Sequence, residues 1–306
     1  MADDPGALRD LQLELLRRQL PCGAWAALAS SPQASIESTC YSLLAVQSIS
    51  ADTVSRGQAF LFRCQNPNGS WPVFSGDDQD GSWLTALAAI ALRDVVSAIP
   101  ARLRAFHWLL HFTGKESDWL WKWKFRTADR HVRFDPDKSG WPWFPGTVSW
   151  VVPTSFAILA LDQLPCPCGG FEQVSLRTNA GIQMLLDRAC PSGGWNAGNG
   201  VVYGEPLSAH VDDTAVALLA LRAHSQDEIV ARGIRFLENS CPTLSASSSL
   251  AWAILALAAQ ARCVTELRKR LASSPSLTDC KDTSTLAACC LALDPRRALA
   301  AFGITI

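Results

Sequence analysis

The sequence predicts an all-α fold, a toroid of six helical hairpins written (α/α)6, and three observations carry that prediction. Six short segments rich in Ala and Leu recur along the chain, each apolar almost all round, as helices buried on every side are. Six amphipathic segments, with charges at helical spacing, alternate strictly with them. Between the partners of a pair lies a Gly/Trp turn, as in CGAW (22–25), QNPNGSW (65–71) and PSGGW (191–195). Helices that are apolar all round must bury one another, so the six close into an inner ring wrapped by the amphipathic six.

Taken in order, the inner segments are Glu37–Val46, Trp83–Leu92, Val152–Leu161, Asp212–Leu221, Ser248–Leu257 and Ser284–Leu293. The outer segments are Leu8–Leu20, Thr53–Gln65, Arg102–Phe112, Leu176–Cys190, Asp227–Asn239 and Val264–Leu271, and three of them share wording in GQAFLFRC, GIQMLLDRAC and GIRFLENSC. Gly at the end of an outer helix supplies a left-handed cap, and the Trp that follows covers the end of the pair. One insert, residues 115–146, interrupts the pattern. Its WLWKWKFR alternates aromatic and basic residues with period two, which predicts a short β-hairpin over 119–135. The expected organisation is one toroid domain over residues 1–306.

Composition removes several classes of function. Lys and Arg number 27 against 28 Asp and Glu, so no basic field is available to hold a phosphodiester backbone, and nucleic acid is not an expected partner. No apolar run reaches the ~20 residues that cross a bilayer. The N-terminal MADDPGALRDLQLELL lacks the features of a secretory signal, so a cytoplasmic location, peripheral to membrane at most, is expected. The 11 Cys are scattered singly through helical stretches, which argues for reduced thiols. Cys166 and Cys168 form a CPC turn without a second pair to complete a metal site.

At the level of repeats, nearly the whole chain resembles the terpenoid cyclase and protein prenyltransferase toroid superfamily. QNPNGSW resembles the Q-x-x-x-G-x-W repeat of squalene–hopene and oxidosqualene cyclases. The stretch GGWNAGNGVVYGEPLSAHVDDTAVALLAL resembles the one that carries their D-x-D-D-T-A acid motif, here His210-Val211-Asp212-Asp213-Thr214. By that resemblance Asp212 is the proton donor, supported by His210, which replaces the first Asp, and by Asp213. Protonating an alkene, a very weak base, needs a carboxylic acid kept protonated in an apolar pocket, and the carbocation that follows needs aromatic faces and the exclusion of water. Trp83, Trp141, Trp143, Trp150, Trp195, Tyr203 and Trp252 are the candidate lining. Asp212 and Asp213 equally fit as N-terminal caps of the fourth inner helix.

The implied partner is a hydrophobic isoprenoid. Because full triterpene cyclases set a cavity between two barrels and this chain makes one, a second toroid domain or a second copy is a candidate to complete it. Asp77, Asp78 and Asp80 could hold Mg²⁺ and hence a diphosphate, although an acidic turn more often caps a helix. No other cofactor is expected. The prenyltransferase zinc set is incomplete: Ser38 stands at the His position and Thr214 at the Cys position, so no metal is expected there. Two readings stay open: a class II cyclase-like isomerase, and a non-catalytic isoprenoid-binding or protein-interaction toroid.

Overall fold

The computed structural model describes residues 5–127, 134–164, 171–277 and 279–305. Cys166, Cys168 and the central part of the expected hairpin lie outside the described residues. The inner helices are α2 (Ile36–Val46), α4 (Leu84–Ala91), α7 (Val151–Leu161), α9 (Val211–Ala220), α11 (Ser247–Ala259) and α13 (Thr283–Leu293). Each packs on the next in that order, and α13 packs back on α2, which closes the ring. The outer helices are α1 (Pro5–Arg17), α3 (Ala51–Cys64), α5 (Ile99–His111), α8 (Phe171–Asp187), α10 (Glu228–Ser240) and α12 (Thr265–Ala272), each against its inner neighbour. Among the described residues the only strands are two ladders of two-residue strands, Trp25–Ala26 with Ala34–Ser35 and Val201–Val202 with Glu205–Pro206.

A repeated clamp fixes each hairpin to its neighbour. Trp25, Trp71, Trp141 and Trp195 are fully buried, and their indole N–H groups donate to the carbonyls of Leu15, Leu61, Leu109 and Leu185 at 2.7, 2.8, 2.8 and 2.6 Å. Their backbone amides donate to the hydroxyls of Thr39, Thr85, Thr154 and Thr214 at 3.0, 2.9, 2.9 and 2.8 Å. The indole lies against the next outer helix where that helix has no side chain: Trp25 meets Gly57, Trp141 meets Gly181 and Trp195 meets Gly233. Gln19 and Gln65 complete the turn, donating to the Gly23 and Gly69 carbonyls at 2.8 and 2.9 Å and to Thr53 and Ala101 on the following outer helix at 2.8 Å each. One Trp therefore satisfies an outer carbonyl, an inner hydroxyl and a packing gap together.

The insert is not a hairpin where it is described. Residues Trp119–Thr127 form a helix, α6, and the reason is local. Lys122 and Arg126 both reach the Asp137 carboxylate, Lys122 at 3.3 Å, while Trp121 and Phe125 stack at 5.8 Å. Residues four apart share one partner on a helix but would be separated by about 13 Å along a strand. Below α6, the fully buried Glu116 accepts from the Ser149 amide through both oxygens, at 3.0 and 3.1 Å, and lies 3.7 Å from the buried Arg188 guanidinium. Arg177 stacks on Trp141 at 3.5 Å, with burial lowering its pKa to about 10.

A last helix, α14 (Pro295–Ala301), was not expected from the sequence. Pro295 opens it and the Asp294 carboxylate caps it. It packs across the C-terminal ends of α2, α11 and α13 and carries the fully buried Phe302 to within 6.4 Å of the Phe156 ring. That end of the ring is closed.

Candidate active site

Each inner helix enters the ring with the same register, so equivalent residues form layers about the axis. The first layer is Glu37, Trp83, Val152, Asp212, Ser248 and Ser284; four residues further along, one helical turn deeper, the second is Tyr41, Leu87, Phe156, Val216, Trp252 and Ala288. Exposure follows the layers. In the first, Trp83 is buried, Asp212 is exposed and the other four are half-exposed, whereas the second is buried except for a half-exposed Trp252. The N-terminal mouth thus opens on the axis.

The second layer meets there. Tyr41, Phe156 and Trp252 come from alternate helices of the ring, with ring centroids 6.3 Å (Tyr41–Phe156), 5.7 Å (Tyr41–Trp252) and 6.2 Å (Phe156–Trp252) apart. Trp83 joins Phe156 at 5.4 Å and meets Trp143 edge-on at 5.1 Å. The loop carrying Trp143 is tied to the start of α4, where the Trp83 amide donates to the Trp143 carbonyl at 3.0 Å. The result is an aromatic floor beneath a partly polar rim.

Of the aromatic residues singled out in the sequence, Trp83, Trp143 and Trp252 reach this floor. Trp141 and Trp195 do not; they are clamp residues, held between outer helices by the contacts described above. Trp150 lies on the rim against Gly198, and Tyr203 is exposed at the tip of the Val201–Pro206 ladder with a φ of 53°. Tyr41 and Phe156 were missed, although the sixfold register, laid out as layers, would have found both.

The acid motif divides in two. Asp212 is exposed in the first turn of α9, so the expected desolvation falls instead on Asp213. Burial raises the Asp213 carboxyl above its ordinary range, although a 2.9 Å hydrogen bond from His210 Nδ1 opposes the shift. Glu37 is the carboxylate that sequence reasoning passed over. It stands one turn above Tyr41, and burial, then the charge of Asp282, pushes its carboxyl up. Beside it Ser38 and Ser284 hydroxyls meet at 3.0 Å across the α2–α13 seam.

The metal calls fall to the same geometry. Asp77, Asp78 and Asp80 precede α4 at this same mouth, but Asp78 accepts from the Gly81 amide, and Asp77 and Asp80 are exposed. Among the described residues no three His, Cys, Asp or Glu side chains converge at metal distance, so these residues do not fit Mg²⁺. Thr214 is engaged with Trp195 and Ser38 with Ser284, which leaves no zinc set there.

No protein-family model matches the chain. A squalene–hopene cyclase from Bradyrhizobium diazoefficiens is 29% identical over 153 residues, which is 49% of this chain and 21% of the cyclase. The chain is therefore similar to about a fifth of that relative's length. Among solved structures, a type II terpene cyclase from Scytonema bound to geranylgeranyl dihydroxybenzoate superposes with a TM-score of 0.58 at 13% identity, over 95% of this chain and 96% of that one. A GH76 α-mannanase from Bacteroides thetaiotaomicron gives 0.61 at 10% identity, over 95% and 94%. Fold and sequence place the chain in the α/α-toroid superfamily that holds the terpenoid cyclases. Within it, the chain is a partial homologue of squalene–hopene cyclase.

Proposed function

We propose that this chain is a protonation-initiated, class II terpene cyclase-like isomerase that takes a polyisoprenoid at the N-terminal mouth. The observation that supports it most is the pairing of an acid-bearing first layer with an aromatic second layer on one axis. An apolar chain seated over Trp83, Tyr41, Phe156 and Trp252 covers Asp212 and strips its water, which favours the protonated acid. Asp212 then delivers its proton to a terminal alkene carbon, and the tertiary cation left on the neighbouring carbon is held by the negative faces of the rings. Ring closure moves the cation along the chain, and loss of a proton to a basic group ends the reaction with the molecular formula unchanged. Asp213, held by His210, positions the first turn of α9.

The GH76 neighbours share the fold at an identity that supports no activity. The exposure of Asp212 supports a second reading, in which both aspartates cap α9 and the toroid binds an isoprenoid without converting it. The Scytonema cyclase is matched over 96% of its length, so one toroid of this size is nearly that whole chain. Incubation with C15 to C35 polyprenols, their diphosphates and squalene, followed by extraction, tests the proposal. Cyclic products of unchanged mass are expected. Tight isoprenoid binding with no product would leave the binding reading, and neither binding nor product would overturn both.

A further inference from the structure

Helix α6 has no buried residue, and its outward side is apolar. Trp119 is 79%, Leu120 53% and Trp123 61% exposed, and the three fall within about 100° of one another around the helix. The opposite side, Trp121 and Phe125, turns to the body of the insert and packs there, with Phe134 against Phe125 at 4.9 Å. Basic groups flank the ridge on both sides. Lys115 and Lys124 lie over the Trp121 ring at 4.3 and 4.5 Å, and Lys122 and Arg126 stand on the other edge at Asp137. Residues 115–138 hold seven Lys and Arg against five Asp and Glu, although the chain as a whole is slightly acidic.

Position adds to composition. The insert follows the C-terminal end of an outer helix and precedes the N-terminal end of α7, so it stands at the open mouth, fastened there where the Lys115 amide donates to the Thr147 carbonyl at 2.9 Å. Leu28, Phe144, Tyr203 and Leu207, all exposed, lie in other loops at the same end. Indole rings that stand in solvent beside lysine and arginine are matched to the boundary between acyl chains and anionic headgroups, where the ring finds an apolar layer and the cation a phosphate. We propose that α6 is an interfacial helix that docks the mouth on a bilayer carrying anionic lipid. The helix lies in the headgroup plane, with Trp119, Leu120 and Trp123 below it and the flanking lysines above.

The test is sedimentation of the full chain with vesicles of phosphatidylcholine, alone and with phosphatidylglycerol. Binding that rises with the anionic lipid and falls with salt is expected. Trp119→Ser with Trp123→Ser should lower the bound fraction about tenfold or more, with unchanged circular dichroism and melting temperature because neither side chain is buried. Lys115→Gln with Lys124→Gln should remove the dependence on phosphatidylglycerol while leaving residual binding. Failure of the wild-type chain to bind, or binding that both double variants retain, would overturn the proposal. So would a concentration-dependent dimer abolished by the same Trp pair, which would assign the ridge to a second copy of the chain.

Discussion

Glu37 and Asp212 hold the same register position on helices that stand opposite each other in the inner ring, yet one carboxylate is half-buried beside Asp282 and the other is in water. One layer thus carries two acids of different character. The pKa of Glu37 is raised in the folded chain, so its contribution to stability is complete below the ordinary carboxylate range and is lost as pH climbs through the raised value. Glu37→Gln should therefore gain stability on the wild type at about pH 7.5 and lose that gain near pH 4. Urea titrations at both pH values check it; a difference independent of pH would contradict the burial argument.

Asp212→Asn should lower the rate of isoprenoid conversion by about 10² to 10⁴, the usual size of a general-acid term. Asp213→Asn, which keeps an acceptor for His210, should cost less. If neither substitution changes rate, and each lowers stability by about 0.3–1 kcal/mol as the loss of a first-turn carboxylate does, the two residues are caps. Initial rates and denaturation midpoints separate the outcomes.

The Trp clamp makes a stability prediction away from the mouth. Trp71→Phe removes the donor to the Leu61 carbonyl and leaves a gap, at about 2–4 kcal/mol. Gly233→Ala sets a methyl 2.5 Å from Trp195 Cζ3, and overpacking of that kind costs about 1–3 kcal/mol. Guanidinium chloride midpoints measure both, and a neutral Gly233→Ala would mean that the Trp195 ring shifts freely.

Glu116→Gln leaves the Arg188 guanidinium buried without its countercharge, which should destabilise the chain by about 3–5 kcal/mol. Loss of protection of the Ser149 amide in hydrogen exchange should accompany it, because Glu116 accepts that amide through both oxygens. Unchanged protection would show that the insert is held by other contacts.

The sequence by itself determined the ring. Apolar helices recurring six times with one register have no way to hide except against one another, and the boundaries read from periodicity fall within a few residues of the observed ones, as for Val152–Leu161 against Val151–Leu161. Legible too were the end of the molecule where the acid motif sits and the aromatic character of the residues around Trp83 and Trp143. Tertiary structure decided what spacing could not. Trp141 and Trp195 look like pocket residues until the outer carbonyls and glycines that hold them are in place. The WLWKWKFR alternation reads as a strand until Asp137 is seen to join Lys122 to Arg126. Asp212 and Asp213 are neighbours in sequence, but only packing decides which of them loses its water, because desolvation depends on what lies over a side chain and not on what lies beside it.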